Sequence, residues 1–109
     1  MDLFPIQPDG IAPPAAGYAH AVLVDGPERV LHTSGVVPVR ADGTVPADLA
    51  TQAEVVWFNL GAILAAAAME PADIVSVTTY VVPGQDLTEV MAARDRALAG
   101  HLAASTLVV

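Results

Sequence analysis

Residues His32-Thr33-Ser34-Gly35-Val36-Val37-Pro38-Val39 constrain the fold of this chain most, because they place a glycine and a proline inside a β-branched run. Glycine in such a run marks a bulge or a close approach to the backbone, and a proline cannot donate to a sheet ladder. The segment is therefore predicted to be a kinked or edge strand. A kink of this kind can turn a hydroxyl or a backbone N–H toward a ligand, which makes Thr33, Ser34 and Gly35 the first candidates for the wall of a site. A plain bulge with ordinary hydroxyls accounts for the same local pattern.

The flanking sequence sets the neighbours of that strand. Residues 1–17 carry Pro5, Pro8, Pro13 and Pro14 with Gly10 and Gly17, a composition that excludes a helix and predicts an extended surface arm. A single domain follows over residues 18–109. Ala19 to Val24 reads as a first strand that ends at the turn formers Asp25-Gly26-Pro27, and Arg29 to Val39 as the second strand of a hairpin. Asp48 stands at an N-cap position before a helix predicted from Leu49 to about Met69, with Ala53, Trp57, Leu60, Leu64 and Ala67 on one stripe.

After Glu70-Pro71-Ala72-Asp73, the run Ile74 to Val82 has the β-branched and aromatic content of a central strand. Asp86 then caps a second helix from Leu87 to about His101, with Leu87, Val90, Met91, Arg94 and Leu98 along one face. Ser105 to Val109 begins a last strand, and a chain that stops there is expected to continue in the natural protein. Hairpin, helix, strand, helix, strand is the order of an α+β or α/β sandwich, with helices on one face of a mixed sheet joined by right-handed crossovers.

Composition limits the partners. The chain has 109 residues, 54% of them hydrophobic, and a mean hydropathy of +0.55. That is more apolar surface than one small domain hides, so an oligomer is expected. Twelve acidic residues against four arginines and no lysine give a net charge of −8. Nucleic acid and anionic membranes both call for clustered basic residues, so neither is an expected partner. No cysteine is available for disulfides, thiolate metal sites or thiol catalysis. The start Met1-Asp2-Leu3-Phe4-Pro5 lacks a basic leader region, and the longest fully apolar run, Leu60 to Met69, is too short to cross a bilayer. A cytoplasmic protein is the expectation.

Motifs for chemistry are sparse. His20 and His32 lie on the two predicted hairpin arms without a third ligand at metal spacing, so neither a metal nor another cofactor is expected. His101 suits the C-terminal end of the second helix dipole. Ser34 has no nucleophile elbow, and no phosphate loop is present. Tyr18, just after Gly17, stands at the mouth of the first strand, where its phenol points into a cleft or simply keeps a wet hydroxyl.

Several segments together resemble the YjgF/RidA family. They are Gly17-Tyr18-Ala19-His20-Ala21-Val22, Thr33-Ser34-Gly35-Val36-Val37-Pro38-Val39, the Gln52 to Leu64 stretch with Asn59-Leu60, Asp73-Ile74-Val75 with Thr78-Thr79-Tyr80-Val81, and Ala104-Ser105-Thr106-Leu107-Val108-Val109. The resemblance implies a chorismate-mutase-like α+β fold, a mixed sheet with two helices on one face. It also implies a homotrimer with ligand clefts between subunits and, in the best-known members, hydrolysis of enamines and imines to 2-keto acids and ammonia. In that chemistry an arginine clamps the substrate carboxylate, a tyrosine and the Thr-Ser-Gly segment line the pocket, and a late glutamate assists water.

Carried onto this sequence, Tyr18, Ser34 and Gly35 match that site, with Thr33 and Ser105 beside it. The arginine falls at Ala104, a helix asparagine at about Met91, and the glutamate beyond Val109. Arg94 and Arg96 lie in the second helix and are not expected to replace the arginine. The implied substrate-binding set is Tyr18, Thr33, Ser34, Gly35, Met91, Ala104 and Ser105, with the catalytic residue open. Three readings follow: a trimer that binds a less acidic imine, enamine or carbonyl compound, a deaminase with another carboxylate anchor, or a ligand sensor without catalysis.

Overall fold

The computed structural model describes residues 2–109 as four strands and two long helices. Their order is β1 (Asp2–Ile6), β2 (Ala21–Asp25), α1 (Leu49–Ala66), a short 3-10 turn (Pro71–Asp73), β3 (Ser76–Tyr80), α2 (Leu87–Leu98) and β4 (Ala104–Val108). The fold is α+β, as the sequence predicts. β3 and β4 pair in parallel with Ser76 opposite Ala104 and Tyr80 opposite Val108, and α2 is the crossover between them. α1 packs on α2.

Both helices begin where the sequence places them. Asp48 accepts from the Thr51 N–H at 2.9 Å and from its hydroxyl at 2.7 Å, and Asp86 accepts from the Thr88 N–H at 3.0 Å. Each ends earlier than expected. Ala68 and Ala99 enter the left-handed region, at φ 55° and 48°, and turn the chain off the helix axis. Alanine carries a steric cost of roughly 1–2 kcal/mol in that region. Neither position announces a stop in the sequence, since glycine is the usual residue there.

Hydrogen bonds to the Thr51 hydroxyl, and then to its N–H, hold the Asp48 carboxyl below its ordinary value of 3.8. Thr44 acts on Asp42 in the same way, hydroxyl first. A carboxyl with a lowered folded pKa adds stability that is complete above 3.8 and is lost as pH falls through the folded value. As pH falls below about 5, the melting midpoint of the native chain should therefore fall more steeply than that of an Asp42→Asn, Asp48→Asn double variant, whose amides still cap without titrating. Parallel curves in calorimetry would count against these two caps.

The hairpin prediction is corrected. β2 pairs with β1, in antiparallel register from Asp2 opposite Asp25 to Ile6 opposite Ala21, so the start of the predicted arm is a strand. Pro5 is tolerated because, among the described residues, β1 has a neighbour on one side only. Residues 29–39, predicted as the second strand, form no ladder among the described residues. They run instead beside α1. Arg29 Nη1 donates to the Ala67 carbonyl at 2.8 Å, and Asn59 Nδ2 donates to the carbonyls of Val39 and Val37 at 3.0 and 3.4 Å. A 2.8 Å bond from the Val39 N–H to the Val37 carbonyl closes a tight turn on Pro38. One helix side chain, Asn59, thus occupies two carbonyls that a ladder would have used.

β3, predicted as a central strand, has β4 as its one ladder partner among the described residues. His101 also differs from expectation. Its Nε2 lies 2.7 Å from the Ile74 carbonyl, tying the end of α2 to the approach of β3.

The chain alone is under-buried. Its surface is 7028 Å², against about 5,700 Å² for a folded monomer of 11.2 kDa. Its dimensions are 44 × 33 × 20 Å, a slab rather than a sphere. One side of β3–β4 carries Ser76, Thr78, Tyr80, Thr106 and Val108, all exposed, with Tyr80 at 78%. The other side faces the helices.

Candidate functional site

Alternation along β4 divides the candidate residues between two faces. Ser105 and Leu107 point to the helices and line an interior cavity with Trp57, Thr79, Val90, Met91 and Arg94. Ala104, Thr106 and Val108 point the opposite way, to the open face. Met91 and Ser105 therefore meet, but around a partly open space of only about 20 Å³. That is the size of a single water site and takes no metabolite.

Arg94 governs this interior space. It is 7% exposed, and its Nε and Nη2 donate to Asp95 Oδ1 at 3.1 and 3.0 Å. Nη1 donates to Ser105 Oγ at 3.4 Å. The expectation that Arg94 stays with the second helix is corrected in part, since its guanidinium reaches the last strand. It does so from the helix side, however, and the sheet separates it from the side chain of Ala104. The sequence did carry a signal: an arginine falls on the apolar stripe of α2, between Val90 and Leu98, where a surface charge has no place. Trp57 and Thr79 carry no such signal.

The N-terminal segment joins β4 on its other flank. The Ala19 N–H donates to the Ala103 carbonyl at 3.0 Å, and Ala19 bridges Ala104 in parallel, which sets Tyr18 next to the start of β4. The half-buried Tyr18 ring meets His20 edge-on at 6.3 Å between centroids. His20 is tied in turn to the arm, with Nε2 2.7 Å from the Ala12 carbonyl. At Gly17 a Cβ would stand 3.1 Å from Asp95 Oδ1, so the Arg94–Asp95 pair abuts the backbone just before Tyr18.

Tyr18 and Ala104 are thus brought together, whereas Thr33, Ser34 and Gly35 are not brought to them within one chain. All three are exposed and outside any ladder. Among the described residues no cluster of three metal-ligating side chains forms. One element, α1, is long and apolar enough to cross a membrane by length and composition, a test that core helices also pass.

Comparison with known proteins matches this arrangement to one family. Residues 10–109 fit the family model described as endoribonuclease L-PSP. Over 84 residues, 76% of this chain, the sequence is 40% identical to a RutC family protein of Haemophilus influenzae, and the match spans 64% of that protein's length. Among solved structures, the Rid family protein YyfB of Yersinia pestis, itself of unknown function, superimposes with a TM-score of 0.86 at 32% identity, over 100% of this chain and 86% of that one. Yeast Mmf1 shares the fold, with a TM-score of 0.68 at 24% identity over 98% and 84% of the two chains.

Proposed function

We propose, because this chain belongs to the endoribonuclease L-PSP family, also called YjgF/RidA, that it is a homotrimer binding a small imine, enamine or carbonyl metabolite in clefts between subunits, and that it is a poor 2-imino acid deaminase. The observation that carries this reading is the placement of the arginines. Arg94 is inside, Arg96 pairs with Glu54 of α1 at 3.2 Å, Arg29 bonds the end of α1, and Arg40 borders α1 beside Val39 and Ala41. All four belong to the helical layer. Ala104 faces the open side of the sheet, across it from Arg94, so no guanidinium of the same chain stands beside its side chain to hold a carboxylate.

The rest of the molecule supports an intersubunit site. Thr33, Ser34 and Gly35 present unpaired backbone, and the open face exposes Tyr80 and Val108, so two halves of a cleft stand apart on one subunit. A surface about 1,300 Å² above that of a compact monomer leaves enough area for such contacts. The −8 charge weighs against RNA as the ligand, whatever the family's description.

Two measurements test the reading. Sedimentation equilibrium should give multiples of three chains, and a persistent monomer removes the shared cleft. Thermal unfolding with 2-oxobutanoate and with its neutral methyl ester should show the ester stabilising at lower concentration. The reverse order would mean that a carboxylate anchor exists, and no shift with either compound would remove the carbonyl-binding site.

A further inference from the structure

We infer that Asp95, held by Arg94, is a positioning residue of the proposed cleft. It fixes where Tyr18 stands against the start of β4 and so how tightly ligand is held, a role that rests on reading Tyr18 as a cleft residue.

Gly17 exposes the arrangement. Of the eight glycines, five turn the chain at positive φ, and Gly35 and Gly61 have nothing within 4 Å of where a Cβ would stand. Gly17 alone would meet a residue from elsewhere in the chain. All three nearest atoms belong to the Asp95 carboxylate: Oδ1 at 3.1 Å, Cγ at 3.5 Å and Oδ2 at 3.6 Å. Gly17 is outside the positive-φ set, so the missing side chain serves here to let a carboxylate lie against the backbone. The next residue is Tyr18.

A carboxylate that is 55% exposed would ordinarily swing in solvent. This one is held, because Arg94 Nε and Nη2 both donate to its Oδ1 at 3.1 and 3.0 Å. Successive residues on a helix do not face each other, so the pair does not arise from helix geometry. It forms because the Arg94 guanidinium turns inward and needs a counter-charge, which Asp95 supplies from the surface. The remaining bond of Arg94, from Nη1 to Ser105 Oγ at 3.4 Å, ends on the residue after Ala104.

A relay of contacts therefore runs from the last strand to the tyrosine, through Ser105, Arg94, Asp95 and Gly17. Backbone joins its two ends only once: the Ala19 N–H donates to the Ala103 carbonyl, and Ala19 forms an isolated bridge with Ala104. The Tyr18 N–H turns back to the Ala16 carbonyl at 2.9 Å and gives no second tie to β4. One bridge, unlike a ladder, leaves a segment free to pivot. Asp95 supplies the second point of support, on the α2 side.

The test uses the two tyrosines of the chain, which after fluorotyrosine labelling give two fluorine resonances. Tyr80, exposed on the open face, is the internal reference. Asp95→Ala, a change at a surface position that keeps the fold, should shift the Tyr18 resonance and leave that of Tyr80 in place. Asp95→Asn, which keeps the acceptor oxygen and the shape, should restore the native position. Gly17→Ala should move the Tyr18 resonance in the native chain but no further in the Asp95→Ala background, where the added methyl no longer meets a carboxylate.

The concentration of methyl 2-oxobutanoate that half-saturates the thermal shift should rise about fivefold in Asp95→Ala, the worth of one hydrogen bond from the phenol, and return in Asp95→Asn. An unmoved Tyr18 resonance in Asp95→Ala overturns the inference. So does a moved resonance with unchanged affinity for the ester, which would make the pair a structural staple only. A native chain that gains no stability from the ester fails the cleft reading instead, and the fluorine shifts alone then decide whether Asp95 places Tyr18.

Discussion

An Ala104→Arg variant should release ammonia from freshly generated 2-iminopropionate about ten to two hundred times faster than the native chain at limiting substrate. The estimate follows from one charge-assisted contact to a carboxylate, roughly 1.5–3 kcal/mol, converted at 1.36 kcal/mol per factor of ten. The position can take the larger side chain. Ala104 is half-buried on the open side of β4, where Thr106 and Val108 are exposed, and it is bridged by Ala19, the residue after Tyr18. The guanidinium would extend along that face, away from the packed helical side. In the reaction water adds to the imine carbon and ammonia leaves, giving pyruvate, so the arginine holds substrate without exchanging a proton. The gain should therefore appear chiefly as a lower KM. A native chain already as fast as the variant would show that its carboxylate anchor lies elsewhere, in a partner's backbone or arginine.

Loss of Arg94 should be the most damaging single change to stability, at about 2–4 kcal/mol for Arg94→Ala. The side chain is 7% exposed, links α2 to β4 through Ser105, and lines one small cavity together with Trp57, Met91 and Leu107. Truncation enlarges that cavity and removes three hydrogen bonds at once. Asp95→Asn should cost much less, because Asp95 is 55% exposed and solvent screens the pair. An Arg94→Met variant, which keeps the stem, should fall between them. Denaturation at fixed protein concentration orders the three, and a harmless Arg94→Ala would mean that the interior is held by its apolar contacts alone.

The two helices and the strands at Ala21–Asp25, Ser76–Tyr80 and Ala104–Val108 were legible in the sequence because each rests on local chemistry. Asp48 and Asp86 cap their helices with their own carboxylates, and the β-branched run before Val82 needs only its own side chains to favour a strand. The family was legible for a related reason: Tyr18, the Thr33–Gly35 segment and the last strand keep their order and spacing along the chain. What failed was pairing. Nothing between Arg29 and Val39 says that Asn59, twenty residues away, will occupy two of its carbonyls, or that Asp2–Ile6 will take the edge of β2 despite Pro5.

The sequence by itself determined the α+β class, the helix starts, the deficit of positive charge and the alanine at 104. The tertiary structure decided which face of β4 each residue occupies, and so put Ser105 and Met91 in a one-water interior, Ala104 on the open side and Arg94 across the sheet from it. The physical reason is that strand alternation fixes which residues share a face, whereas the side that becomes interior depends on where distant helices pack.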